Sequence, residues 1–238
     1  MNPAKEYVVI IPTYNEASNI TELLDNLLDE NLHILVVDDG SPDGTSKIVE
    51  NNSFYNQRTF LINRGSKKGY ASACLEGFEW SINNKYDFVI QMDADFSHSI
   101  KDLKNMLRYS EEYDLVLGSR YIPGGEIIGW GLLRQILSKY ANIVARIMTR
   151  SKLKDLTTGF RIYDIRLLKN INLKGLESEG YGFLVEVLNL IIKKNKNIKE
   201  IPITFNDRKL GESKMSFNVI LDAMKTTLKI GFINYIKN

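Results

Sequence analysis

The chain has 238 residues, of which 44% are hydrophobic and 25% are charged, and its formal net charge is +2. This composition is typical of a globular α/β domain, and the small net charge predicts no nucleic-acid partner. The single cysteine, Cys74, excludes an intramolecular disulfide and favours a reducing, cytoplasmic setting. The sequence contains neither a signal peptide nor a run of ~18–20 uncharged apolar residues, so we expect a soluble or peripheral protein.

Strand and helix patterns alternate in the first half of the chain. Runs of apolar, often β-branched residues typical of buried strands occur at 7–12, 34–37, 59–63, 87–92 and 114–119. Apolar residues at helical spacing follow the first run, and helical stretches precede the last two. This alternation predicts an α/β fold with a mostly parallel central sheet flanked by helices.

The pattern changes after Ser119. Residues 121–134 contain four glycines and one proline, which predicts a long mobile loop. Beyond it we expect a helix, a loop, a second helix and a strand, at about 133–149, 155–164, 183–194 and 198–205. Pro202 should confine that strand to an edge or an irregular position.

The last part of the chain has the spacing of an amphipathic helix. Its apolar side is formed by Phe217, Leu221, Met224, Leu228, Phe232 and Tyr235, and its polar side by Asp222, Lys225 and Lys229. Such a helix fits two situations equally well. It can pack on the domain, or it can lie in a membrane interface with its lysines toward the head groups.

Polar residues cluster where the predicted strands end, which is the edge at which open parallel sheets bind ligands. They are Thr13, Tyr14, Asn15 and Glu16, then Asp38 and Asp39, then Asp93 and Asp95, then Ser119 and Arg120. Neither a GxGxxG nor a GxxxxGK motif is present. Acid pairs instead suggest Mg²⁺ or Mn²⁺ bridging carboxylates to phosphate oxygens. In an extended chain, the Asp-x-Asp spacing would point Asp93 and Asp95 the same way.

Several motifs resemble those of family 2 inverting glycosyltransferases, which have a glycosyltransferase-A type nucleotide-sugar-binding fold. In the first half these are PTYNE, DDGSPDGT and DAD. The second half is similar to the dolichol-phosphate (polyprenol-phosphate) mannose synthase branch in GSRYIPGG, WGLLRQILSKYAN, DLTTGFRIYD, EGYGFLVEV and DRKLGESKMS. The resemblance covers nearly the whole chain, in order.

The resemblance implies a role for each matching position. The nucleoside would contact Pro12, Tyr14, Asn15, Glu16, Asp38 and Asp39. The cation and diphosphate would lie at Asp93 and Asp95, with the backbone of Ala94 close by. The donor phosphates would meet Arg120, Arg208 and Lys214, and the acceptor phosphate would meet Arg134 and Ser138. Catalysis would depend on Asp93, Asp95, Arg120 and Arg134.

Some of these positions have simpler explanations, and one departs from the family. Arg120 could pair with a nearby carboxylate, and Tyr14 could be a packed aromatic residue. Relatives have a metal-binding Gln where this chain has Ser97, whose reach is shorter, so Ser97 is a weaker candidate for the third ligand. His98 is an alternative ligand or acid.

The resemblance implies inverting transfer of mannose from GDP-mannose to dolichyl or polyprenyl phosphate, with a β-linked product. A UDP-sugar donor such as UDP-glucose is the alternative. A hydroxyl acceptor would instead need a carboxylate base, for which Glu179 and Glu186 are candidates. A non-catalytic nucleotide-binding subunit is a further possibility, which the intact set of acids and arginines disfavours.

We expect a single domain, 1–238, attached peripherally to the cytoplasmic face of a membrane. Its parts would be a nucleotide-sugar half, an acceptor half, and a phosphate-binding loop with an interfacial helix, at 1–120, 121–206 and 207–238. A membrane-anchoring partner subunit is possible.

Overall fold

The computed structural model describes residues 5–176, 178, 180–207 and 217–236. Its strands are β1 (Tyr7–Thr13), β2 (His33–Asp38), β3 (Thr59–Asn63), β4 (Phe88–Gln91), β5 (Leu115–Ser119), β6 (Glu126–Ile128), β7 (Arg161–Asp164), β8 (Ile198–Pro202) and β9 (Thr204–Asn206). Its helices are α1 (Ala17–Asp29), α2 (Thr45–Glu50), α3 (Tyr70–Asn83), α4 (Ile100–Leu107), α5 (Leu132–Thr149), α6 (Ile165–Asn170), α7 (Tyr181–Lys193) and α8 (Phe217–Ile236).

The main sheet has seven strands within the described residues, in the order β3-β2-β1-β4-β7-β5-β8. Neighbouring strands are parallel except for β7, which runs antiparallel to both β4 and β5. The predicted mostly parallel sheet is therefore confirmed. The strand containing Pro202 lies at the edge, as expected, because proline cannot donate a ladder hydrogen bond.

Two predicted loops contain strands. The stretch 155–164 ends in β7, which is buried in the middle of the sheet although it includes Arg161 and Asp164. These two charges hide the apolar pattern from which a buried strand is normally predicted. Within 121–134, β6 pairs in parallel with β9, and α5 already begins at Leu132, so this segment is only partly a loop.

The core lies on both faces of the sheet, because successive side chains of a strand point to opposite sides. On one face, Ile10 of β1 belongs to a cluster with Cys74 and Phe78 of α3. On the other face, Ile11 belongs to a cluster with Leu24 of α1. Burial raises the pKa of the Cys74 thiol, which fits the expected packed core residue. Among the described helices, none is long and apolar enough to cross a bilayer.

Candidate active site

The loop after β2 is held to the end of β1 by one carboxylate. Asp38 is fully buried and accepts hydrogen bonds from Thr13 Oγ1 at 2.8 Å, from Ser46 Oγ at 2.8 Å, and from the backbone N–H and hydroxyl of Ser41. With its oxygens occupied in this way, Asp38 fixes the loop. The direct contact between Asp38 and the nucleoside stays a prediction.

Asp39 holds a second loop. It accepts hydrogen bonds from the Lys68 and Gly69 backbone N–H groups, at 3.2 and 2.8 Å, and forms a buried salt bridge with Arg64. Arg64 also donates to Ser72 Oγ and pairs with Glu76 at 3.1 Å. Asp39 is only 5% exposed, so it forms part of the wall of the site. Nothing in the sequence pattern assigns a role to Arg64.

The residues after β1 form a rim above this network. Tyr14 is half-buried, with Lys67 Nζ lying 4.2 Å from its ring centroid, so it is not simply a core aromatic residue. Asn15 is exposed in the left-handed region, at φ 58°, and its N–H donates to Ser41 Oγ. Glu16 is buried and accepts from Asn19 Nδ2 at 3.0 Å, whereas Pro12 is half-buried. Asn15 is thus the most exposed of the predicted nucleoside residues, and Tyr14 and Pro12 are both half-buried.

The Asp93–Asp95 pair lies in a turn. β4 ends at Gln91, and the chain bends from Ala94 to Phe96, which has φ 60°. The expectation of an extended Asp-x-Asp segment is therefore wrong. Asp93 is half-buried and accepts a hydrogen bond from the Tyr70 hydroxyl at 3.3 Å, while Asp95 is 7% exposed.

His98 supports this turn from inside. Its Nδ1 accepts the backbone N–H of Asp93 at 3.2 Å, and its ring stacks on Phe160 with centroids 4.5 Å apart. Burial lowers the pKa of His98 to about 4, even though nearby Asp95 opposes the shift. The imidazole is therefore neutral at neutral pH and carries its proton on Nε2. This arrangement disfavours His98 as a general acid.

The oxygen atoms of this turn suit a hard divalent cation. Mg²⁺ and Mn²⁺ are commonly held by one or two carboxylates, together with waters and substrate phosphates. Asp93 and Asp95 supply two carboxylates, and the described residues contain no cluster of three acidic, histidine or cysteine ligands. Ser97 Oγ is buried without a hydrogen-bond partner among the described residues, so its lone pairs are available. Ser97 as third ligand stays a prediction.

Arg120 follows β5 and forms a buried, two-pronged ion pair. Its Nε and Nη2 donate to the two Asp155 carboxylate oxygens at 2.6 and 2.8 Å, and Nη2 also donates to Thr157 Oγ1 at 2.8 Å. Burial alone would raise the pKa of Asp155, but the Arg120 charge and hydrogen bonds hold it below its usual value. Arg120 is thus paired with a buried carboxylate, and its direct role in catalysis stays a prediction.

Arg134 lies in the first turn of α5, where a cation is disfavoured by the helix dipole. Two contacts offset this: Nη1 donates to Asp207 at 3.0 Å, and the guanidinium lies 3.9 Å from the centroid of the Trp130 ring. Ser138, one turn later on the same face, accepts a hydrogen bond from the Tyr121 hydroxyl at 2.8 Å. The Arg134 and Asp207 side chains are 30% and 38% exposed, so this ion pair is open to solvent.

A pocket of about 360 Å³ opens between β6 and α5. It is lined by Arg120, Tyr121, Gly125, Glu126, Ile127, Leu132, Gln135, Ile136 and Lys139. Arg120 lines this pocket, and its charge also contributes to the lowered pKa of His98. It therefore lies between the pocket and the Asp93–Asp95 turn that His98 supports. The lining thus combines two cations, Arg120 and Lys139, and one carboxylate, Glu126, with apolar side chains of β6 and α5.

The outward surface of α5 is apolar. Large apolar side chains are 42–74% exposed along it, namely Leu132, Leu133, Ile136, Leu137, Tyr140, Ile143 and Ile147. Its buried positions include the polar Asn142 and Thr149. The usual arrangement of an amphipathic helix in water is thus inverted.

Helix α8 packs against α5 and continues this surface. Met224, Leu228, Phe232, Tyr235 and Ile236 are 43–77% exposed, whereas Asn234 is buried and donates to Met148 O at 3.0 Å. We call the exposed apolar side chains of α5 and α8 the apolar platform. A contiguous apolar surface of this kind marks an interaction site.

The sequence also predicts roles for four residues in the second half of the chain. Arg208, Lys214 and Glu179 lie outside the described residues. Glu186 is half-buried on α7 and accepts the backbone N–H of Ser178 at 3.1 Å.

The comparisons with known proteins define the class. Residues 8–171 match the family model for glycosyl transferase family 2. The chain belongs to this family and is a glycosyltransferase.

Two relatives within the family have more specific names. The chain is 38% identical over 228 residues to a polyprenol monophosphomannose synthase of Mycolicibacterium smegmatis, covering 94% of this chain and 86% of that protein. It is also 38% identical over 226 residues to an undecaprenyl-phosphate mannosyltransferase of Micrococcus luteus, covering 94% of this chain and 93% of that one.

Solved structures confirm the glycosyltransferase-A type fold. A mannosyl-3-phosphoglycerate synthase from Rubrobacter xylanophilus superposes with a TM-score of 0.71 at 16% identity, over 98% of this chain and 76% of that one. A glucosyl-3-phosphoglycerate synthase from Mycobacterium tuberculosis, crystallised with Mn²⁺, UDP and glucosyl-3-phosphoglycerate, gives 0.70 at 14% identity. That match covers 96% of this chain and 81% of the other.

Proposed function

We propose that this enzyme transfers mannose from GDP-mannose to a polyprenyl phosphate, with inversion at the sugar carbon. The observation that carries the proposal is the pocket beside α5, which is lined by Arg120 and Lys139 and shares Leu132 and Ile136 with the apolar platform. A lipid phosphate matches this combination of side chains. The names of the two 38% identical relatives point to the same acceptor class and the same sugar.

In this proposal the nucleotide sugar lies over the ends of β1, β2 and β4. Tyr14 and Asn15 border the nucleoside, while Asp38 and Asp39 hold the loops on which it rests. Residues 1–120 thus form the donor half. Residues 121–206 form the acceptor half, and 207–238 contribute the C-terminal phosphate-binding loop and the interfacial helix.

Asp93 and Asp95 would hold a divalent cation, Mg²⁺ or Mn²⁺. When bound, the cation would neutralise the negative charge that develops on the departing nucleoside diphosphate. The carboxylates orient the diphosphate between the β4 turn and the donor loops. His98 keeps the turn in place through the Asp93 backbone.

The acceptor phosphate would bind at α5 beside the pocket, where it would meet Arg134, with Ser138 one turn later on the helix. A phosphate oxygen is already ionised at neutral pH and requires no strong general base to attack the sugar carbon. The main task of the pocket is to bring two anions together, which cationic side chains favour. A single displacement turns an α-linked donor into a β-linked lipid product.

Paired donor assays test the proposal. Labelled GDP-mannose and UDP-glucose are each incubated with the enzyme, MnCl₂ and dolichyl phosphate, and the organic-phase label is counted. We expect label from GDP-mannose, and we expect dolichol lacking the phosphate to give none. Lipid-linked label from UDP-glucose alone would establish the alternative donor, and label in neither case would refute polyprenyl phosphate transfer.

We propose further that the apolar platform lies in the membrane interface on the cytoplasmic face. Replacing Leu228 and Phe232 together with Ser should weaken binding to phospholipid vesicles by about 20–400-fold, because full burial of a large apolar side chain contributes ~1.5–3 kcal/mol and these two are still 52% and 67% exposed. Vesicle flotation measures the effect.

The matched control is Phe54→Ser, which removes an exposed aromatic residue outside the platform. This variant should float like the unmodified protein. Unchanged flotation of the Leu228 and Phe232 double variant would remove the platform as the membrane contact and leave a partner subunit as the alternative anchor.

A further inference from the structure

Arg161 is a fully buried cation without an acidic partner among the described residues. Its Nε donates to Thr158 O at 2.8 Å and its Nη2 to Leu156 O at 3.1 Å, and its Nη1 donates to the Tyr163 hydroxyl at 3.3 Å. A buried charge is costly unless it is paired. Arg161 lies at the start of β7, beside β4, the strand that leads to the Asp93 turn. This position suggests that the buried charge has a function at that turn.

A chain of hydrogen bonds runs from Arg161 to Asp93. The Tyr163 hydroxyl donates to Gln91 Oε1 at 3.0 Å, and Gln91 Nε2 donates to the Tyr70 hydroxyl at 2.8 Å. The Tyr70 hydroxyl then donates to Asp93 Oδ1 at 3.3 Å. Every donor points in the same direction, from the cation toward the carboxylate. Such an arrangement polarises each link, so that the last hydroxyl becomes a better donor.

The interior part of this chain is sealed from water. Arg161, Tyr163 and Gln91 are all 0% exposed. Gly159 closes the chain near Tyr70, because a Cβ atom at this position would lie 2.7 Å from the Tyr70 hydroxyl oxygen. Low local polarity strengthens each hydrogen bond and raises the free-energy cost of breaking one. The chain is therefore rigid and ends on the more exposed of the two predicted metal ligands.

We propose that Arg161, Tyr163, Gln91 and Tyr70 are positioning residues, which hold the Asp93 carboxylate in the orientation that binds the divalent cation and the diphosphate. The proposal rests on the metal-binding role given to Asp93 above. Mutating a residue that orients a metal ligand from behind commonly weakens metal affinity by about 10–100-fold. A chain that only satisfied buried polar groups would affect folding stability and leave the metal affinity of the folded protein unchanged.

The test is the affinity of the protein for Mn²⁺ in the presence of GDP, measured by electron paramagnetic resonance. Tyr70→Phe removes the last link and should weaken Mn²⁺ binding by roughly 10-fold. Tyr163→Phe, which does not contact Asp93, should weaken it in the same direction by a smaller factor. Because the Tyr163 effect must pass through Tyr70, the double variant should match Tyr70→Phe alone.

Independent effects give a different result: the two losses would multiply in the double variant. That outcome, or normal Mn²⁺ affinity in Tyr163→Phe, would overturn the proposal. Tyr86→Phe is the matched control, because it removes a hydroxyl that contacts His33 Nδ1 at 2.8 Å and belongs to no part of the chain. If Tyr163→Phe does not fold, Gln91→Met breaks the same chain in its middle.

Failure of this proposal can be told apart from failure of the proposed function. The Mn²⁺ titration requires no sugar transfer, so a protein that binds Mn²⁺ with the expected coupling but transfers no mannose contradicts only the function. If the protein transfers mannose but the effects of Tyr70→Phe and Tyr163→Phe on Mn²⁺ affinity are independent, only the proposal about the positioning residues is contradicted. Absence of Mn²⁺ binding by the unmodified protein with GDP would remove the role of the chain at Asp93.

Discussion

Replacing Asp95 with Asn should lower the rate of mannose transfer by on the order of 10²–10³-fold, comparable to the loss of a central charge-stabilising group. The substitution keeps the size of the side chain but removes one of the two charges available to a cation. Asp95 is only 7% exposed, so no other carboxylate can easily take its place. The rate is measured with GDP-mannose and dolichyl phosphate at saturating MnCl₂.

Asp87→Asn is the matched control, because Asp87 precedes the opposite end of β4 and pairs with Lys5 at 3.2 Å on the surface. We expect its rate to be unchanged. A chelator should abolish transfer by the unmodified enzyme, and added Mn²⁺ should restore it. If Asp95→Asn keeps more than about a tenth of the activity, Asp95 has no central role in the reaction.

Replacing Asp155 with Asn should destabilise the protein by about 3–5 kcal/mol, because it leaves the Arg120 guanidinium buried beside a neutral group. Asp155 is fully buried and accepts both prongs of Arg120. Urea unfolding at neutral pH measures the difference. Glu30→Gln, which breaks the partly exposed pair with Lys104, should cost less than ~1 kcal/mol.

The same pair predicts how stability depends on pH. The pKa of Asp155 is lower in the folded protein than its unfolded value of about 3.9, so its contribution is complete above that pH and is lost as pH falls through the folded pKa. The stability gap between the unmodified protein and Asp155→Asn should therefore be constant near neutral pH and shrink below about pH 4. A gap that stays constant into strong acid would contradict the ion pair.

The sequence was sufficient to predict the parts of the fold that repeat a simple pattern. The five strands of the first half end within two residues of their predicted ends, and their polar ends meet at one edge of the sheet. β7 could not be predicted, because four buried residues that include two charges have no recognisable period.

The site was predictable as a set of strand ends but not as a set of contacts. Arg120 and Asp155 are 35 residues apart, and no local pattern joins them. Arg64 and Asp39 are similar, since the two residues of this salt bridge are 25 positions apart in the chain. Periodicity reveals that α5 has an apolar side, but only the packing of Asn142 and Thr149 shows that this side faces outward.

The antiparallel insertion of β7 between β4 and β5 has a consequence for how the protein folds. Residues 1–120 cannot complete the central sheet, because β4 and β5 face each other only through a strand that arrives about 40 residues later. The donor and acceptor halves therefore share one cooperative folding unit. Cutting the chain between β5 and β7 would leave both pieces with unpaired strand edges, because β4 and β5 would each lose β7 as a neighbour.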